Sequence, residues 1–363
     1  MRRLFETYVR WLHTIYATFD VGALGIFRIF YAFIMLFVGL IPYERISSFA
    51  PQLYDPKASL AVFFDLPAPW FFLFLDYLIP ILLVLLLFGF KTRWSSLLLG
   101  LAFIVGNSFL YSFGKINHGN LLSSVLPLIM AFSNWGDAYS IDSRAGKEIR
   151  NESWAICLLS LVIGFGMFTA GIQKLGGGWL DINFLAIKYH IFNNYLNGRG
   201  GVLMEHVIQI DSVFFWEFMD WLIVLFELGL LVAVINRRLY AVWISFGMLF
   251  HLGVFLILEI TFYKNFIPYL LFINWTLFIS VMGIRRAIDK IKHWLRIEVM
   301  LVMVLLICVL KIVFGSPYVS NIFDLGGTVH NVVLSFFGVA TLVVSLFAYF
   351  KELRSEKVKK STT

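Results

Sequence analysis

Met167–Asp181 reads MFTAGIQKLGGGWLD. It closes an apolar run of some twenty residues with no other charge, and the run ends on Lys174, followed by Leu175, three glycines and Trp179. A run of that length with no charge is the signature of a helix that crosses a bilayer. A lysine at its rim has two readings. It can be an anchor whose amine reaches the headgroups, or a base held against a dry pocket. The rest of the chain has to choose between them.

Working outward, the whole chain shares the character of that run. It is 60% hydrophobic and 14% charged, with a mean hydropathy of +0.84. Soluble domains are about half apolar and about a quarter charged. The chain therefore reads as an all-α, polytopic integral membrane protein. The 39 Phe, 15 Tyr and 11 Trp suit helices packed in lipid and aromatic belts at its surfaces. Strand alternation is absent, which argues against a barrel. The net charge of +7 sits beside apolar spans, where it sets topology, so nucleic acid is not implied as a partner. Cys157 and Cys308 lie inside expected spans and far apart, which supports neither a disulfide nor a thiolate metal site.

Ten spans are expected, at 21–43, 67–89, 94–113, 118–134, 153–173, 212–235, 239–261, 264–283, 297–315 and 330–350. Before them, Phe5, Tyr8, Val9, Leu12, Ile15, Tyr16 and Phe19 recur at three- and four-residue steps. This predicts an amphipathic helix over 2–19, lying at the membrane interface. Residues 1–350 are expected to form a single transmembrane domain, and 351–363 a basic tail. No cleavable signal peptide is expected. The connections 44–66 and 174–211 are too long for plain turns. In the second, Ile182, Leu185, Tyr189, Phe192 and Leu196 are spaced along one face of a helix that would lie against the membrane.

Charge tests the count. Twenty of the 29 lysines and arginines fall on the loops that share a side with the N-terminus, and seven on the opposite loops. Arg28 and Lys311 lie within spans. By the positive-inside rule both termini are cytoplasmic, and Lys174 faces outward.

Ionisable residues inside a membrane are costly and so are candidates for function. Arg28 and Asp76 are expected to pair and lock the first two spans. Glu217 and Asp220 lie near the outer end of the sixth span, where solvation is easy. Glu227 is deeper and needs a partner. His251 is near the middle of the seventh span; a lone helical histidine is more often a packing residue. The densest polar cluster is the turn GKINHGN, which carries Lys115, Asn117, His118 and Asn120. The topology puts this turn on the outer side with Lys174. No phosphate-binding loop, zinc-protease motif, nucleophile elbow or dinucleotide fingerprint occurs in a suitable context.

Taken in order, NHGNLLSSVLPLIMAFSNWGDAYSID (Asn117–Asp142), FTAGIQKLGGGWLD (Phe168–Asp181), FELGLLVAVINRR (Phe226–Arg238) and FHLGVFLI (Phe250–Ile257) resemble a known membrane domain. It is the one shared by vitamin K-dependent γ-carboxylases and the bacterial horizontally transferred transmembrane domain (HTTM) proteins. The likeness covers roughly residues 20–285. It implies that Lys174 is the base associated with oxidation of a lipid quinol, that Asn117 and His118 assist, and that His251 is a further histidine of the site. It also implies a bacterial cytoplasmic membrane, and carboxylase or epoxidase-like chemistry on the outer face. The carboxylases carry a large lumenal part after the membrane domain. No such part is expected here, which argues against propeptide-directed carboxylation.

Three functions remain open at this point. One is a quinol-linked membrane enzyme whose lysine must lose its proton to act as a base. Another is a non-catalytic maturation, immunity or assembly factor for a secreted peptide or polymer. The last is a transporter using Glu227, His251, Asp76 and Arg28 as a polar path. The sequence specifies neither the substrate nor the oligomeric state.

Overall fold

The structure is a computed structural model. It describes residues 20–38, 42–56, 59–114, 121–145, 154–182, 184–260, 263–273, 275–281, 283, 285–318, 321–322, 339–347 and 350. The expected interfacial helix at 2–19, the turn at 115–120 and the tail at 351–363 lie outside these residues.

The described residues are helical and contain no strand. Along the chain the helices are α1 (Val21–Val38), α2 (Pro69–Phe88), α3 (Thr92–Tyr111), α4 (Leu121–Met130), α5 (Trp154–Gly176) and α6 (Ala186–Leu196). They continue with α7 (Val213–Ala233), α8 (Arg237–Leu258), α9 (Tyr263–Tyr269), α10 (Trp275–Val281), α11 (Arg285–Trp294) and α12 (Ile297–Phe314). Five of them, α2, α3, α5, α8 and α12, are long and apolar enough to cross a membrane. They match five of the expected spans to within a few residues. Helix α7 has 21 residues and is comparably long, but it carries Glu217, Asp220 and Glu227.

The expected span at 264–283 is interrupted. Helix α9 contains Pro268 and passes into a single 3₁₀ turn at Leu270–Phe272, and Ile273 is extended. Proline removes a backbone donor and destabilises the helix around it. The break is tolerable at membrane depth because Leu270, Leu271, Phe272 and Ile273 are all buried in protein. The Trp275 indole also donates to the Leu270 carbonyl at 2.9 Å.

The described residues group into two compact units. One comprises those within 17–156 and 279–329. Here α1 and α4 are joined by the Tyr31 hydroxyl, which donates to Ser123 O at 2.8 Å. Helices α3 and α4 are joined by Asn107, whose amide donates to Ser124 Oγ at 3.0 Å. Such polar contacts hold helices together where lipid supplies no hydrophobic drive. Asp142 caps the start of α3, accepting from Lys91 N at 2.9 Å and Thr92 N at 2.7 Å.

The expected Arg28–Asp76 pair is absent from this unit. Arg28 is fully buried and donates to the carbonyls of Trp135, Ala138 and Tyr139. A guanidinium offers five donors in a planar fork, which suits a turn whose carbonyls lack helix partners. Gly89 makes room for it. That residue ends α2 with φ +65, and a Cβ there would sit 2.7 Å from the guanidinium. Asp76 instead accepts from Tyr43 N at 2.7 Å and Glu44 N at 3.1 Å. Its cation is Lys311 of α12, at 3.6 Å.

The other unit comprises the described residues of 157–278 and 330–363. Helices α5 and α7 approach closely at two glycines. A Cβ on Gly164 would lie 3.1 Å from Leu231 Cα, and one on Gly171 would lie 3.0 Å from Leu228 and 3.1 Å from Glu227 Cβ. Helix α8 joins α5 through the Tyr240 hydroxyl, which donates to Ser160 O at 3.1 Å. It meets the segment 339–347 through Ser245 and Ser345, 2.9 Å apart.

The 174–211 connection is docked on α8. Gly201 N donates to Ile257 O and Leu203 N to Leu256 O, both at 2.9 Å. Ile191 of α6 packs with Met204, Trp216 and Leu258. Ile182, Tyr189 and Leu196 of the expected apolar stripe are exposed.

Candidate functional site

Lys174 is in the last turn of α5. Its amine donates to both oxygens of Glu227, at 2.7 and 2.6 Å. Glu227 lies in the C-terminal half of α7, a position that the Gly171 contact brings directly opposite. Without a side chain at 171 the two backbones close up, and Lys174, three residues further along, reaches across. The pair is asymmetric. The lysine side chain is 23% exposed and the glutamate side chain 6%. The amine also lies 5.3 Å from the centre of the Trp179 ring. Trp179 follows the glycines because the chain turns back on itself there, with Trp179 N donating to Lys174 O at 3.2 Å.

His251 of α8 is buried. Its Nε2 lies 3.4 Å from the Tyr269 hydroxyl, and the two rings stack at 5.9 Å. Tyr269 ends α9 and is also buried. Phe226, the neighbour of Glu227, fills the space at Gly247, where a Cβ would meet its ring at 2.9 Å and that of Tyr269 at 3.7 Å. Lys174, Glu227, His251 and Tyr269 are all in one unit. Asn117 and His118 lie outside the described residues.

Sequence reasoning marked Glu227 as a deep carboxylate in need of a partner but did not join it to Lys174. It did not single out Tyr269 at all. A buried tyrosine in an aromatic-rich span carries no local signal; the one cue beside it is Pro268, which disfavours a helix continuing through that point.

The expectation that Asp220 is solvated is corrected. Asp220 is fully buried, and it accepts from Ile187 N of α6 at 2.9 Å. The amphipathic connection folds back over the end of α7, so the aspartate satisfies an orphan donor in the first turn of α6. Both oxygens of Glu217 are buried too.

A chain of apolar helices that crosses a membrane several times, with charged side chains paired between helices, is an integral polytopic membrane protein. The chain belongs to the HTTM family: the HTTM domain model matches residues 16–285, more than half of its length. No curated protein matches it, and no solved structure does.

Chemically, the Lys174–Glu227 pair can hold its shared proton in two ways, as ammonium and carboxylate or as amine and carboxylic acid. The two forms differ by one proton moved along a 2.6 Å hydrogen bond. Only the second offers a base.

Proposed function

We propose that this chain is a lipid-quinol-linked membrane enzyme with Lys174 as its general base. Asn117, His118 and His251 assist, and the chemistry is carboxylase or epoxidase-like. In this reading ten spans and an interfacial helix at 2–19 place both termini in the cytoplasm of a bacterium. The site lies on the outer face of the cytoplasmic membrane, and the loops 44–66 and 174–211 receive a secreted peptide.

One observation carries the reading. A partly exposed amine at the end of an apolar helix is held from behind by a buried carboxylate. A lysine that only anchored its helix would reach for headgroups and would need no buried acid. The surroundings fit a quinol: Ile172 and Leu175 beside Lys174 are exposed, and the Trp179 ring flanks the amine. An amphiphilic aromatic ring with an acidic hydroxyl suits such a face. When bound, a quinol supplies an acidic hydroxyl and reducing electrons. Lys174 receives the proton, Glu227 fixes the amine, and Trp179 restricts water on one side.

The test compares membranes containing wild type and Lys174→Met for a quinol-dependent product, at matched protein levels. Loss of product in the variant supports the base role. Full activity overturns it and leaves the ion pair as a structural staple, as in a non-catalytic maturation factor.

A further inference from the structure

Helix α11 reads RRAIDKIKHW, with Arg285, Arg286, Lys290 and Lys292 against the single acid Asp289. Arg296 follows, and α12 begins at Ile297. Ile288, Ile291 and Leu295 recur at three- and four-residue steps. Ile288 and Leu295 are buried and Ile291 is half-buried, so this is the side that α11 packs against protein. Arg286, Lys290 and Trp294 recur at four-residue steps on another side and form one stripe. All three are exposed, as is Arg296. Among the described residues, none of Arg286, Lys290 and Arg296 has an ion pair.

Packing within the unit of residues 17–156 and 279–329 fixes the level of this stripe. Lys311 of α12 meets Asp76 of α2 at 3.6 Å. Lys311 comes about 21 Å along α12 from its first residue, Ile297, and Asp76 lies about 18 Å before the last residue of α2, Phe88. With the two helices antiparallel, the start of α12 is level with the end of α2. The turn that follows α4 agrees. Its Ile141 N donates to Phe88 O at 2.9 Å, and its Tyr139 lies in the electrostatic field of Arg285 and Asp289.

That level is a membrane surface, since α2 ends there and α3 and α12 begin there, and all three are long and apolar enough to cross. Trp94, in the first turn of α3, is 62% exposed, and Trp294, just before α12, is 68% exposed. Tryptophan collects at such interfaces because its ring is apolar and its N–H is polar.

We propose that the stripe of Arg286, Lys290 and Trp294, together with Arg296, is a seat for the headgroup of an anionic phospholipid. In the proposed topology this surface is the cytoplasmic one. The inference is independent of the reading of Lys174 as base.

Two features choose this occupant. The first is charge. Three exposed cations without ion pairs attract an anionic headgroup, whereas a zwitterionic one brings its own cation with its phosphate. The second is continuity with lipid. The stripe ends on Trp294 beside α12, whose Leu301, Val302 and Leu305 are exposed and offer an apolar path for acyl chains. A stripe of charge that met only water would not need an exposed indole at its end. The nearby acid Glu298 lies in the first turn of α12, where the helix dipole holds it.

The test counts bound lipid. Full-length protein in a neutral maltoside detergent is mixed with equal amounts of dioleoyl phosphatidylglycerol and dioleoyl phosphatidylcholine, and retained lipid is read by native mass spectrometry. Wild type should retain the phosphatidylglycerol in preference, and 0.5 M salt should weaken that preference, as screening requires. Replacing Arg286, Lys290 and Arg296 by Gln should lower phosphatidylglycerol affinity by about fivefold per residue, and by about a hundredfold for all three. Phosphatidylcholine retention should be unchanged. Arg286→Lys with Arg296→Lys keeps the charge and should keep the binding. Arg45→Gln with Arg199→Gln, which removes two exposed arginines elsewhere, should leave it in place.

Equal retention of the two lipids by wild type overturns the proposal. So does a triple variant that retains phosphatidylglycerol as wild type does, or an Arg45→Gln, Arg199→Gln protein that loses it equally. If the triple variant does not elute as a single species, the three single variants decide by the same criterion.

Discussion

Lys311 on α12 and Asp76 on α2 face each other across 3.6 Å, with both side chains almost wholly buried. The same amine donates to Glu44 at 2.8 Å and to the Gly315 carbonyl at 3.1 Å. One cation therefore serves two carboxylates and a helix end. The residue that meets Asp76 is 235 positions away from it in the chain, beyond the matched HTTM region.

Removing that cation alone leaves a buried carboxylate without its charge partner. Lys311→Met is expected to destabilise the protein by on the order of 3 kcal/mol. Lys311→Met with Asp76→Asn should recover part of the loss. Thermal unfolding in detergent, followed by size-exclusion chromatography, checks both. A single variant that melts with wild type would show that Glu44 and Asp76 find other partners.

Arg28 is a second structural cation, and it acts through shape as well as charge. Arg28→Lys keeps the charge but cannot serve three carbonyls from one plane. The expected cost is about 2–3 kcal/mol, read as a lower melting temperature. Arg28→Lys melting with wild type would contradict the three-carbonyl role.

Asp220 holds the start of α6. Asp220→Ala is expected to cost about 1–2 kcal/mol and to increase protease cleavage within 182–204. Asp220→Asn keeps an acceptor and should be milder. Equal protection in all three proteins would show that α6 is held by its apolar packing alone.

Gly171 sets the distance between Lys174 and Glu227. Gly171→Val adds three carbons where one already meets Leu228 and Glu227 at 3.0–3.1 Å. The helices must part, at a cost of about 1–3 kcal/mol. Labelling of Lys174 by an amine reagent should rise as the carboxylate withdraws. Gly166→Val, on the same helix with nothing within 4 Å of its Cβ position, should leave labelling unchanged.

The sequence by itself determined that the chain is helical and membrane-embedded, and where most long helices begin and end. Hydropathy over some twenty residues is a local property, and so are the caps that stop a helix, such as Ser212, which accepts from Phe215 N, and Asn236, which accepts from Arg238 N. It also marked Lys174, and marked Glu227 as a carboxylate too deep to stand alone, because charge in an apolar run stands out without knowledge of neighbours. The break at Leu270–Phe272 had one cue in the sequence, Pro268, but hydropathy reads an apolar stretch the same whether its helix is whole or interrupted, so the span at 264–283 was drawn through it.

Tertiary structure decided which charges meet. Lys174 pairs with a residue 53 positions away and Lys311 with one 267 positions away, while Arg28 turns from the expected Asp76 to backbone carbonyls. Those choices depend on which helices are adjacent and how closely they approach, at Gly171 for α5 and α7. A buried charge needs a partner wherever one can be found, so sequence can state the need, but only packing selects the partner.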